Sequence, residues 1–177
     1  GLGDVYKRQV IVNGVSKAYA MTGWRIGFIA GPEWLVKACN KLQGQYTSGP
    51  CSVSQKAAEA AYTGTQAPVE EMRKAFEQRR DRLVELINAI PGLSCRKPHG
   101  AFYVMMNIRG ITGKRYHGKV LGGSTAIAEA LLEHAHVALV PGAAFLDEGF
   151  CRISYATSME NIEEGLRRIA AFVKELE

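Results

Sequence analysis

The chain has no apolar run near the roughly 20 residues that a membrane-spanning helix requires, so no segment of it reads as a transmembrane span. It also lacks the pattern of a signal peptide, because residues 1–9 (GLGDVYKRQ) contain no apolar h-region. Cysteine is sparse: Cys39, Cys51, Cys95 and Cys151 lie far apart, with no CxxC pair and no cluster at zinc-ligand spacing. Scattered thiols of this kind are expected to be free in a reducing compartment, which makes the cytoplasm the expected location and a metal site unexpected. His99, His117, His134 and His136 form no pattern that suggests metal or acid–base work, so surface and packing roles are their default. Repeats and low-complexity tracts are missing as well.

The 177 residues suffice for one good-sized core, or for a domain plus part of another. At 47% hydrophobic and 22% charged, the composition is that of an ordinary globular chain. The net charge is +5, but the basic residues are scattered. Arg79-Arg80 and Arg167-Arg168 fall within helical patterns with acidic neighbours, so no nucleic-acid surface is expected. Two buried arginines serving anionic ligands would be a more specific use of positive charge.

Val10-Ile11-Val12 reads as a short buried strand, and a loop through Lys17 follows it. Residues 24–30 read as a second strand, closed by Gly31-Pro32. Pro32 suits the first turn of a helix running to about Gly44. Ser52-Val53-Ser54-Gln55 matches a capping box that opens an Ala-rich helix. From Pro68 a long amphipathic helix lines up Met72, Phe76, Leu83, Leu86, Ile87 and Ile90, and Pro91-Gly92 ends it. The texture then changes to strands at 93–96, 101–107, 137–140 and 151–155, with a Gly- and Lys-rich loop up to Gly123. Helices capped by Ser124 and Ser158 complete the pattern, the last burying Ile162, Leu166, Ile169, Phe172 and Val173. The class is α/β, with a smaller α+β domain in the last part. Two opening strands cannot bury both their faces alone, so the chain is expected to begin within a domain.

The chemistry concentrates in Asn13-Gly14-Val15-Ser16-Lys17-Ala18-Tyr19-Ala20-Met21-Thr22-Gly23-Trp24-Arg25-Ile26-Gly27. Lys17 follows a strand among small residues that permit close approach of a ligand. An amine in an enclosed, partly apolar and cationic site is a competent nucleophile toward an aldehyde. Arg25, eight positions on, is the residue type preferred for a phosphate. Together they suit a phosphorylated aldehyde cofactor. By spacing alone the case is weak, since a lone Lys is usually a solvated surface charge and a lone Arg a salt-bridge partner.

The string from Ser16 to Gly27 closely resembles, almost residue for residue, the cofactor-attachment motif of class I/II aminotransferases of the aspartate aminotransferase family. These enzymes have fold type I and depend on pyridoxal 5'-phosphate (PLP). Pro98-His99-Gly100-Ala101-Phe102-Tyr103 and Val140-Pro141-Gly142-Ala143-Ala144-Phe145 resemble later family segments. Cys151-Arg152-Ile153-Ser154-Tyr155-Ala156 resembles the strand whose arginine grips the substrate α-carboxylate, where a planar fork matches a carboxylate bidentately. The resemblance covers residues 10–177. It implies that Lys17 forms the internal aldimine with PLP, that Arg25 binds the cofactor phosphate and that Arg152 binds the substrate. Ser16 is a candidate hydroxyl near the phosphate, with a local loop cap as the alternative. Ser48, in Tyr46-Thr47-Ser48-Gly49-Pro50, is a weaker candidate from a loop near the family's dimer interface.

The implied architecture is the C-terminal part of a fold type I PLP-dependent transferase. Residues 10–85 would end the large domain and include the linking helix, and residues 86–177 would form the small domain. Residues 1–9 do not resemble the family and read as a foreign leader. The implied activity moves the amino group of an α-amino acid to a 2-oxo acid, in a homodimer when full length. A PLP-dependent C–S β-lyase of the same fold and a non-catalytic remnant are the alternatives. The Met21-Thr22-Gly23-Trp24-Arg25 continuation favours transamination, and the set Lys17, Arg25 and Arg152 argues against decay. The family's remaining cofactor contacts, including the Asp on the pyridine nitrogen, precede the lysine. The 177-residue piece alone is therefore expected to be inactive or nearly so. Turnover and PLP absorbance measured on it decide the matter, and robust turnover would contradict the expectation.

Overall fold

The computed structural model describes residues 5–177. Of the expected leader, residues 1–4 lie outside the described residues, and Tyr6–Arg8 form a 3-10 turn. Two compact units divide the chain, Gly1–Glu71 and Met72–Glu177, and the division falls within the long helix α3 (Ala67–Asn88).

The first unit pairs β1 (Ile11–Gly14) with β2 (Gly27–Ala30), antiparallel, with Gly14 opposite Gly27. Glycine is required at this crossing, because a Cβ on Gly14 would come 2.9 Å from the carbonyl oxygen of Ile26. Helices α1 (Glu33–Tyr46) and α2 (Ser52–Thr63) follow. The expected buried strand at 10–12 is corrected: Ile11 and Val12 are 61% and 76% exposed. The reason is that, among the described residues, β1 pairs with β2 alone in a two-stranded ribbon. The strand expected over 24–30 is shorter, because Thr22–Trp24 make a 3-10 turn and Arg25 adopts a left-handed backbone (φ 51°, ψ 48°). The capping box at Ser52 is not formed. Cys51 takes the cap position, and the Gln55 side chain donates instead to the Pro50 carbonyl.

The second unit holds the core. Its sheet runs in the order β3 (Tyr103–Asn107), β7 (Phe150–Ser154), β6 (Val140–Pro141), all antiparallel. Helices α3, α4 (Ser124–Ala135) and α5 (Met159–Lys174) contribute to its buried cluster. Strand alternation sends Val104, Met106, Cys151 and Ile153 inward. They join Leu83 and Ile87 of α3, Ile127 and Leu131 of α4, and Ile162, Leu166, Ile169 and Phe172 of α5 in one cluster. Phe76, Leu86 and Val173 pack against it as the helical spacing predicted. Ser158 caps α5 as expected, its hydroxyl accepting from the Asn161 N–H at 3.3 Å.

Four details differ. Residues 93–96 form a single bridge, Ser94 to Asn107, rather than a strand, and the 137–140 strand reduces to β6. The loop before Gly123 carries a small hairpin, β4 (Arg115–Tyr116) and β5 (Lys119–Val120). Ser124 is not a cap: Gly123 occupies that position, and Ser124 sits fully buried in the first turn, bonded to Glu148.

Burial differs sharply between the units. Among the described residues the first buries Val15, Ser54 and Ala58, whereas every residue of the large apolar cluster belongs to the second. Residues 72–177 expressed alone are expected to melt cooperatively by circular dichroism, and Leu83→Ala is expected to remove about 2–5 kcal/mol of that stability. Residues 1–71 alone are expected to show no cooperative transition.

Candidate functional site

Lys17 and Arg25 both lie in the connection that closes the β1–β2 ribbon. Val15, 1% exposed, anchors the start of that connection. Residues 16–19 then turn back on themselves, the Ala20 N–H donating to the Lys17 carbonyl at 3.1 Å. Tyr19 fastens this turn to the α2 side of the unit. Its ring meets Tyr62 edge-on at 5.1 Å, and its hydroxyl donates to the Gln66 side chain at 3.0 Å. Lys17 is exposed and Ser16 half-buried.

Arg25 is also exposed, which corrects the expectation of a buried arginine. Its left-handed backbone turns it out of the ladder, and one guanidinium nitrogen donates to the Thr22 carbonyl at 2.9 Å. No carboxylate pairs with it among the described residues. Arg25 lines a cleft of about 590 Å³ together with Asn13, Gly27, Asn40, Gln43 and Pro50. Ser48, two residues before Pro50, is exposed with a left-handed φ of 63°.

Arg152 belongs to the second unit, at the centre of its sheet, paired with Met105 of β3 and Val140 of β6. Its neighbours Cys151 and Ile153 point into the core, so strand alternation puts Arg152 on the other face, where it is half-buried. The guanidinium lies over the Tyr103 ring at 4.2 Å and the Phe145 ring at 4.7 Å. No ion pair or hydrogen bond engages it among the described residues. A cation at this depth usually has a carboxylate; here two aromatic faces take that place and the fork of donors stays open to an anion.

Tyr103 and Phe145 are the residues that sequence reasoning missed. Both stood in segments that the family resemblance singled out, but neither was given a role. Tyr103 could have been found from strand register, since β3 and β7 pair in the core-facing phase fixed by Val104 and Ile153. Phe145 ends a short 3-10 turn, Gly142–Phe145, which gave no such signal.

Burial also sets the thiol chemistry. Burial pushes Cys151 up to about 11 and raises Cys95, while backbone N–H groups of Ser54 and Val53 lower Cys51 at the start of α2. A thiol-specific reagent at neutral pH is expected to label Cys51 first, Cys95 slowly and Cys151 only on unfolding. Mass-spectrometric mapping checks the order, and early labelling of Cys151 would contradict it.

Among the described residues there is no helix long and apolar enough to cross a membrane and no cluster of three or more metal-ligating side chains. Comparison with known proteins places these observations in a family. The profile of the family described as aminotransferase class I and II matches residues 3–169. An aspartate aminotransferase of Rhizobium meliloti (strain 1021) is 52% identical over 165 residues, which is 93% of this chain and 40% of that protein. A probable aspartate/prephenate aminotransferase of Rhizobium leguminosarum bv. phaseoli is 50% identical over 96% of this chain and 42% of its own length. The crystal structure of the aspartate aminotransferase from Rhizobium meliloti superposes with a TM-score of 0.95 at 48% identity, over 99% of this chain and 44% of that one. The aromatic aminotransferase from Pyrococcus horikoshii OT3 superposes at 0.86 with 40% identity, over 96% and 44%. The chain thus spans about two fifths of the length of the curated relatives it matches, and its α/β fold is part of theirs. With the family profile met along nearly all of its residues and the fold shared as well, the chain belongs to the class I and II aminotransferases.

Proposed function

We propose that this chain supplies the lysine, the phosphate arginine and the carboxylate arginine of a PLP-dependent aminotransferase. The transfer would run from an α-amino acid to a 2-oxo acid, within a full-length homodimer in the cytoplasm. The observation that carries the reading is Arg152: a half-buried guanidinium lying against the Tyr103 and Phe145 rings and engaged by no acidic side chain among the described residues. Such a fork suits a carboxylate held in two places at once. The names of the relatives point to aspartate, prephenate and aromatic substrates, and a dicarboxylic amino acid is the first donor to test.

The residues present fit PLP by their chemistry. Lys17 offers a primary amine on a turn pinned by Tyr19, and Arg25 spends one nitrogen on Thr22, leaving the rest of its fork for a phosphate. Ser16, half-buried beside Lys17, is the proposed additional hydroxyl. When bound, the cofactor supplies an electron sink that acidifies the substrate Cα–H. The Lys17 amine holds the cofactor, accepts the Cα proton at Nζ and returns it during transfer. Arg152 fixes the carboxylate and so restricts the rotation of the Cα substituents.

Two substitutions in the full-length protein test these roles. Lys17→Ala is expected to abolish the absorbance of the bound cofactor near the visible edge and to lower turnover of L-aspartate with 2-oxoglutarate by roughly 10²–10⁴-fold. Arg152→Lys retains the charge but loses the planar fork, and is expected to lower kcat/KM by roughly 10–100-fold. Full activity of either variant would overturn the role assigned to that residue.

A further inference from the structure

The ring of Phe145 reaches Arg152 from a loop, and the stem of that loop is tied down by a buried hydroxyl. Ser124, with no exposed surface, donates its Oγ–H to Glu148 Oε2 at 2.6 Å, and its backbone N–H donates to the same oxygen at 2.8 Å. The same Oγ accepts from the Ala143 N–H at 3.0 Å. One hydroxyl therefore bonds both stems of the loop, Ala143 before Phe145 and Glu148 after it. Gly123 leaves room for the carboxylate, since a Cβ there would come 2.9 Å from Glu148 Oε2.

The tip contrasts with this stem. Phe145 is 42% and Leu146 98% exposed, so little packing holds the ring where it is. A second set of bonds supports the base of the loop. Asp147 donates its N–H to the Gly142 carbonyl at 3.0 Å, and its carboxylate accepts from Gly149 N–H at 2.9 Å and from Arg109 at 3.2 Å. Those bonds close the loop upon itself and onto Arg109. The Ser124 bonds are different, because they fix the loop to the first turn of α4 and thus to the core.

We propose that Ser124 and Glu148 are positioning residues for the Arg152 carboxylate clamp, acting through the loop that carries Phe145. They touch neither Arg152 nor the carboxylate; they set where the Phe145 face stands against the guanidinium. This inference rests on the reading of Arg152 as the carboxylate ligand.

The test uses the full-length protein with L-aspartate as donor and 2-oxoglutarate as acceptor. Glu148→Ala and Ser124→Ala are expected to raise KM for L-aspartate about five-fold, with kcat changed less than two-fold. Glu148→Gln keeps an acceptor oxygen of the same shape and is expected to restore KM to near the wild-type value. Phe145→Ala is expected to raise KM by itself, and adding Glu148→Ala to it is expected to cause no further rise, because both act through one ring. Unchanged KM in Glu148→Ala, no rescue by Glu148→Gln, or effects of Glu148→Ala and Phe145→Ala that multiply would each overturn the positioning role while leaving Arg152 in place. If Arg152→Ala leaves KM unchanged, or wild-type protein turns over no L-aspartate, the reading of Arg152 fails first and this inference falls with it.

Discussion

A cation held inside a protein surface layer has to be stabilised by something, and at Arg152 that something is aromatic rather than acidic. Had a carboxylate filled the role, the guanidinium would be neutralised and its donors spent. The Tyr103 and Phe145 rings offer negative faces but no hydrogen-bond acceptor in the plane of the fork. The charge is tolerated and its donors remain unspent. Strand β7 makes this possible by burying Cys151 and Ile153 on one face and presenting Arg152 on the other. The core of the second unit, the helix α4 beneath the loop and the loop itself all serve the geometry of that strand.

The two units bear their proposed site residues in different ways. In the second, the arginine sits on the central strand of the sheet, over a buried core. In the first, Lys17 and Arg25 sit on a turn between two strands that expose most of their apolar side chains. That turn is held by a few specific contacts: Val15 in its pocket, Tyr19 against Tyr62, and Arg25 on Thr22. Trp34, Leu42, Tyr46 and Val53 remain between 60% and 80% exposed.

Much of the second unit was legible because its signals are periodic. The 3.6-residue spacing of Leu83 and Ile87, and of Ile162, Leu166 and Ile169, fixed which helix faces are buried, and Ser158 marked a helix start. Failures came where a local motif competed with tertiary contacts. Ser52 to Gln55 has the letters of a capping box, yet Gln55 bonds Pro50 instead. Ser124 has the letters of a cap, yet Glu148, distant in sequence, takes its donors. Apolar Ile11 and Val12 read as buried because composition cannot say whether a covering layer is present. Arg152 was singled out as a candidate by the residues flanking it in sequence, whereas the rings beside its guanidinium are a property of folded space.

Alternation along β7 also sets what kind of change this part of the chain can absorb. Side chains in a strand point to opposite faces in turn, so replacing one residue alters one face at one point. Inserting or deleting a single residue within the strand exchanges the faces of everything beyond it. The guanidinium of Arg152 would then turn toward the apolar interior, and the thiol of Cys151 would take its place on the face of Tyr103 and Phe145. For β7, length is therefore a stricter requirement than composition.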